Sequence, residues 1–442
     1  MDDSVTEADV LIRGGTILTM DDRGTVIPGG YIAVKGDAVA RVGSGNGEGV
    51  HAKKTIDCRG GLILPGLINA HTHAAMTLFR GLADDLPLMD WLNQYIFPAE
   101  SKMDADFVRT GTLLACAEMI MSGTTTFCDM YLFEDEAAKA VDEAGMRCLL
   151  GEVLYDFPSP NYGAVADGLR YTENLINKWH DHSLISIAVE PHSIYTCSPS
   201  LLKAANDLAL RHKVPLVLHV AETISEIKEA KKRYGKKPFE HLEDLNILGP
   251  HVIADHCVHL DDTEIQRIIE YDVKPVHNPE SNMKLASGVS PVFKLLNRGA
   301  TVGLGTDGCA SNNNLDLFAE MDTAAKLNKV EAMDPTVLDA LTVLRMTTSM
   351  GAKVLGMAHK VGSLEKGKKA DIIVVDINKP HLTPMYNPYS HLVYAVRGSD
   401  VSHSLINGKL VMEDRRLLSL DLAGILESSR EKSRAVLSWI TK

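Results

Sequence analysis

The chain has 442 residues, enough to bury a large core as one α/β domain with a small satellite. Its 58 acidic residues outnumber 45 Lys and Arg for a net charge of −13, and no basic cluster stands out, which argues against a nucleic-acid partner. The apolar fraction is 45%, no run approaches the roughly 20 uninterrupted apolar residues of a membrane span, and the acidic opening lacks the basic start and apolar core of a leader; these features are expected of a soluble cytoplasmic protein.

In chain order, residues 1–61 read as short strands broken by turns. Val10 to Arg13 leads to Gly14-Gly15, then Thr16 to Met20; residues 31–35 and 38–42 flank Gly36-Asp37 as a hairpin. Residues 370–376 and 404–411 repeat this texture near the other end. The termini are therefore expected to meet in one small β-sandwich, formed by 1–61 and 363–442. The middle, 62–362, alternates eight candidate strands (62–70, 124–130, 147–153, 185–189, 216–220, 252–257, 273–277 and 301–305) with amphipathic segments such as 107–121, 201–212, 264–271 and 315–327. Eight such units in about 300 residues suit a (β/α)8 TIM barrel, with its active site at the C-terminal strand ends. An open doubly wound sheet would usually place a glycine-rich phosphate loop after its first strand, where this chain has histidines. The C-terminal segment 420–440 is an apolar helix that suits either the chain's own barrel or a partner subunit in a homo-oligomer.

The first barrel strand ends in His71-Thr72-His73. Residues i and i+2 of a strand share a face, so this pair can grip one cation. The fifth candidate strand carries His219, with Glu222 three residues on, and the eighth ends at Asp307. Three imidazoles and a carboxylate suit a borderline divalent cation, Zn²⁺ or Fe²⁺, with a coordination position left for water. His256, at the end of the sixth strand, is either a further ligand or a base beside the metal. His259 and His277 read as structural. The fourth strand has no lysine that could be carbamylated to bridge two metals, which favours a mononuclear site. The seven cysteines are dispersed without a Cys-x-x-Cys pair, so neither a disulfide framework nor a zinc knuckle is indicated.

These residues sit in a context that resembles the amidohydrolase superfamily, and within it the 5-methylthioadenosine/S-adenosylhomocysteine deaminases. The likeness rests on Asn69-Ala70-His71-Thr72-His73-Ala74, Met76-Thr77-Leu78-Phe79-Arg80-Gly81, Trp91-Leu92, Pro98-Ala99-Glu100, Pro191-His192-Ser193, His219 to Thr223, His256 to Leu260, Asn278 to Asn282, and Gly305-Thr306-Asp307-Gly308 followed by Ala310-Ser311-Asn312-Asn313. It implies a zinc held by His71, His73, His219 and Asp307, with Glu222 shuttling protons at the purine ring and His256 and Asp307 deprotonating the attacking water. It further implies that Glu100 binds the ribose, that His192 touches the substrate, and that Trp91 walls the nucleoside. Glu152 stands where some relatives carry an arginine suited to an amino-acid carboxylate, and it is expected to repel such a group.

The expected function is zinc-dependent hydrolytic deamination of 5′-methylthioadenosine, S-adenosylhomocysteine or both. Adenosine, 6-aminodeoxyfutalosine, guanine or a chloro- or amino-triazine are alternative substrates for the same chemistry, with Glu100 and Trp91 favouring a ribosyl one. A non-catalytic assembly protein on the same barrel would be expected to have lost ligands that this chain keeps.

Overall fold

The computed structural model describes residues 6–440; the acidic opening, residues 1–5, lies outside them. The first strands are β1 (Thr6–Leu18), β2 (Val26–Lys35), β3 (Ala38–Ser44), β4 (Val50–Asp57) and β5 (Leu62–Pro65). The runs on either side of Gly14-Gly15 form one strand, not two. The register of β1 on β2 slips at Gly15, so the glycines bulge the strand without ending it.

The barrel strands follow as β6 (Leu67–Thr72), β7 (Thr124–Tyr131), β8 (Arg147–Leu154), β9 (Ile185–Ile187), β10 (Glu190–Pro191), β11 (Leu216–Val220), β12 (Val252–His256), β13 (Lys274–His277) and β14 (Gly303–Leu304). They pair in parallel as two arcs, β6 to β10 and β11 to β14. The interrupted strand β9–β10 serves as one barrel position. Bridges from Val189 to Leu216 and from Ser193 to His219 join the arcs on one side, and Asp307 N–H donates to the His71 carbonyl at 3.0 Å on the other. All eight residues of both β7 and β8 are buried, as expected of strands covered by helices on one face and a filled barrel on the other.

The strand expected over 62–70 is in fact two, and the barrel's first strand starts at Leu67. Leu62–Pro65 pairs with β1 and with β15 (Ile372–Val375) in the terminal sheet. Both halves are wholly buried and open on apolar residues, so patterning alone could not part them. The switch is made at Gly66, where a Cβ would lie 2.1 Å from Thr125 Oγ1. The terminal sheet is completed by β16 (Val401–Ile406), β17 (Lys409–Glu413) and β18 (Arg416–Leu417), giving nine strands drawn from both ends of the chain. The run 404–411 is a hairpin whose Asn407-Gly408 turn has φ of 50° and 77°, as a two-residue primed turn requires.

Arg147 at the start of β8 and Asp371 beside β15 form an ion pair between barrel and sheet, with Nε 2.8 Å from Oδ2 and both side chains buried. The C-terminal helix Leu422–Ile440 packs on the chain's own helix Ala105–Met121, the Phe107 and Trp439 rings lying 5.3 Å apart. Lys102 Nζ donates to the Trp439 carbonyl, and Lys432 pairs with Asp106. All seven cysteines are buried and free. Among the described residues, no helix is long and apolar enough to cross a membrane.

Candidate metal centre and cleft

His71, His73, His192, His219, Glu222, His256 and Asp307 sit at or just past the C-terminal ends of barrel strands, whereas Trp91 and Glu100 end the short helices Leu88–Trp91 and Phe97–Glu100. Three of these strand ends adopt the left-handed region, with φ of 55° at Ala221, 70° at His256 and 61° at Asp307. Residues with a Cβ are held there at a cost of about 1–3 kcal/mol each, and such positions persist where surrounding structure over-determines them. Here the neighbouring strand ends do so: Val258 and His259 both donate N–H to the Ala221 carbonyl, and Asp307 donates its N–H to the His71 carbonyl.

His71, His73, His219, His256 and Asp307 converge. The donor atoms of His71, His73 and His219 lie within 4.8 Å of one another, and so do those of His71, His256 and Asp307. His219 Nδ1 is bonded to the His192 carbonyl at 2.8 Å, and His73 Nδ1 to the Met130 carbonyl, which turns both Nε2 atoms inward. His73 Nε2 is 3.1 Å and His71 Nε2 3.6 Å from Asp307 Oδ1. Neither ring nitrogen of fully buried His71 has a well-formed hydrogen bond. Burial pushes its imidazole toward neutrality, but the Asp255 and Asp307 carboxylates outweigh that and raise it to about 10. For Asp307, burial opposes ionisation, yet the His71 and His73 imidazoles beside it hold it well below the usual carboxylate range. A nitrogen-rich pocket with one carboxylate, whose central imidazole lacks a well-formed hydrogen bond, fits a divalent cation of the zinc or iron class.

Several groups that orient this centre escaped the sequence reading. Asp255 Oδ2 lies 3.1 Å from His71 Nδ1, the carboxylate-histidine arrangement that sets a ligand's ring orientation. Its signal was an aspartate closing an otherwise apolar strand, Val252-Ile253-Ala254. Asn282 Oδ1 meets His256 Nδ1 at 2.9 Å, and Ser281 Oγ donates to Asp307 Oδ2 at 2.6 Å. Glu226 is buried in the first turn of the helix Ile224–Tyr234, and its carboxylate accepts the N–H groups of Ala221 (2.9 Å) and Glu222 (2.8 Å). The spacing Thr223-Ile224-Ser225-Glu226 is that of a capping box, but this glutamate reaches past the cap residue to the strand end.

The metal-site groups open into a cleft that Glu222, Glu100, His192 and Trp91 also line. Burial raises Glu222, and it lifts Glu100 to about 7 despite the nearby Tyr131 hydroxyl. Burial and the surrounding imidazoles depress His192 to about 3, so it is neutral, with Nδ1 3.0 Å from Thr196 Oγ1. The wall between these groups is mostly aromatic and aliphatic, and Tyr195 faces it beside Glu222. His259 and His277 do not line it; His259 Nε2 bonds the Ser287 carbonyl at 2.7 Å.

Glu152 is a correction. It is fully buried away from the cleft, where its oxygens accept from Glu134 N–H at 3.0 Å and Asn161 Nδ2 at 2.8 Å. It is not placed to repel a substrate carboxylate. On this strand the side chain that lines the cleft is that of the following residue, Val153.

Residues 62–411 match the amidohydrolase family. A 5-methylthioadenosine/S-adenosylhomocysteine deaminase of Syntrophobacter fumaroxidans is 58% identical over 98% of this chain and 99% of its own. A 5′-deoxyadenosine deaminase of Methanosarcina mazei is 44% identical, again over 98% of this chain and 99% of its own. Among solved structures, an adenosine deaminase of Xanthomonas campestris with bound zinc superposes with a TM-score of 0.96 at 36% identity, covering 98% of this chain and 99% of that one.

Proposed function

This chain belongs to the amidohydrolase family, and from that premise we propose that it hydrolyses the exocyclic amine of a 5′-substituted adenosine, giving the inosine analogue and ammonia. The observation that carries the reading is the convergence of five side chains able to ligate a metal with a buried Glu222 in one cleft. The names of the two curated relatives support an adenosine skeleton and differ in what they attach at the 5′ carbon.

His71, His73, His219 and Asp307 would hold one cation, with zinc supported by the zinc-bound relative. When bound, such a cation acidifies water from a pKa of 15.7 to about 7, which makes the hydroxide nucleophile available at neutral pH. The remaining work falls to the chain's own groups. Glu222, whose burial favours its protonated form, donates to N1 of the purine as the water oxygen bonds to C6, relieving the charge that would otherwise build on the ring. His256, steadied by Asn282, and Asp307 take up the water's proton and pass it to the departing amine. The C6–N6 bond then breaks, ammonia leaves, and N1 keeps its proton in the oxo product. Glu222 regains its proton when a second water proton returns to it. Glu100 holds the ribose, His192 presents a neutral imidazole to the substrate, and Trp91 covers the nucleoside.

The test is ammonia release from zinc-loaded protein given 5′-methylthioadenosine, 5′-deoxyadenosine, adenosine and guanine in parallel, with Glu222→Gln as control. Turnover of the 5′-modified adenosines, reduced about 10²–10⁴-fold in the variant at unchanged zinc content, is expected. No ammonia from any of the four overturns the reading.

A further inference from the structure

The relatives' names span substrates that end in a methyl, a methylthio or an amino-acid group, and the cleft carries chemistry that separates these. We infer that its outer end selects adenosines whose 5′ substituent is uncharged and apolar, and turns away those that end in a zwitterionic amino acid. This rests on the nucleoside reading above, with the adenine at the metal centre and the ribose at Glu100.

A 5′ substituent then extends past Glu100 into the wall built by Phe97, Leu132, Val153 and Tyr155. Phe157 locks part of this wall from behind: its ring stacks on Tyr155 at 3.8 Å and meets Phe97 at 5.7 Å. The surface is rigid and apolar, suited to a thioether or methyl group. Among the described residues that line the cleft, none is Lys or Arg. The cations of the neighbouring loops are engaged elsewhere. Lys284 Nζ bonds Asp84 at 2.6 Å and the Ala310 carbonyl at 3.3 Å, and Arg80 pairs with Glu118 and the Asn313 carbonyl. A carboxylate arriving here finds no Lys or Arg to offset its lost hydration, and the ionisable group nearest this wall, Glu100, is itself an acid.

Three nucleosides isolate charge from length: 5′-methylthioadenosine, 5′-butylthio-5′-deoxyadenosine and S-adenosylhomocysteine, whose chains beyond sulfur are respectively short and neutral, long and neutral, and long and charged. Initial rates on the zinc-loaded enzyme are expected to place the two neutral compounds within about tenfold of each other in kcat/KM and S-adenosylhomocysteine about 100-fold or more below them. S-adenosylhomocysteine turned over within tenfold of the butylthio compound overturns the inference. So does equal slowness of both long compounds, because length would then be the discriminant. Calorimetric binding of the same three to Glu222→Gln protein gives the order independently of turnover. If no nucleoside is deaminated, the proposed function has failed, and an S-adenosylhomocysteine affinity equal to that of the butylthio compound would separately overturn the selectivity.

Discussion

Glu226 does not line the cleft, yet it holds the backbone that aims Glu222. Two N–H groups at a strained strand end depend on its carboxylate, and Thr223 Oγ1 fixes it in return by accepting its own N–H at 3.2 Å. Glu226→Ala leaves both N–H groups buried without partners, so kcat is expected to fall about 10–100-fold at unchanged zinc content; Glu226→Gln, which keeps an acceptor, should lose less. Steady-state kinetics with metal analysis checks both. Glu152 offers a different experiment. Burial raises it to about 7, so the folded chain retains a proton that the unfolded chain releases near 4.5. Its contribution to stability is thus fully present below pH 4.5 and is lost as pH rises through 7. Glu152→Gln removes that loss. Thermal melts should show the variant matching the parent at pH 4.5 and exceeding it by about 1–3 kcal/mol at pH 8. At this scale the chain's pattern exposes ligand-bearing strand ends such as His71-Thr72-His73. It hides the role of Asp255, which arises from a contact across strands with His71, and that of Glu226, whose capping-box spacing gives no sign that its carboxylate bonds the strand end instead of the cap.

At the scale of elements, the helix-and-strand alternation of the middle segment was legible because amphipathic helices and wholly apolar strands differ in period. The expected helix over 107–121 lies within Ala105–Met121, and that over 201–212 within Pro199–His212. Residues 62–72 resisted reading, since β5 and the start of β6 have the same apolar character and part company only through a tertiary contact. Gly66→Ala forces a Cβ onto Thr125, whose Oγ1 and Cγ2 would sit at 2.1 and 2.2 Å. The strands must shift to admit it, and denaturant unfolding is expected to show a loss of about 1–3 kcal/mol, with weaker retention of an added divalent cation because His71 and His73 follow the displaced strand. The paired variant Gly66→Ala with Thr125→Ala should recover most of both.

For the molecule as a whole, Arg147 and Asp371 carry the connection between barrel and sheet. The guanidinium also meets the Ser183 carbonyl at 3.0 Å, and Asp371 Oδ1 accepts Asn407 N–H at 2.7 Å. Arg147→Met strands a buried carboxylate and should cost about 3–5 kcal/mol, whereas Arg147→Met with Asp371→Leu should be far milder. Equilibrium unfolding of the two variants distinguishes a fold that needs this charge pair from one that needs its volume filled. That both termini share one sheet was legible from their common strand-and-turn texture; this cross-link was not, since its partners lie 224 positions apart.

The shared sheet also sets a timetable for synthesis. β5 is seated between β1, made before it, and β15, which leaves the ribosome about 300 residues later. At about 5–20 residues per second, that interval is roughly 15–60 s. Throughout it, an apolar strand edge next to the metal-binding segment waits for its partner, while the barrel forms alongside. The nascent chain is thus a client for chaperones at its N-terminal end until its last strands arrive, and slowing translation within residues 363–417 should lower the yield of active enzyme more than slowing it within the first sixty.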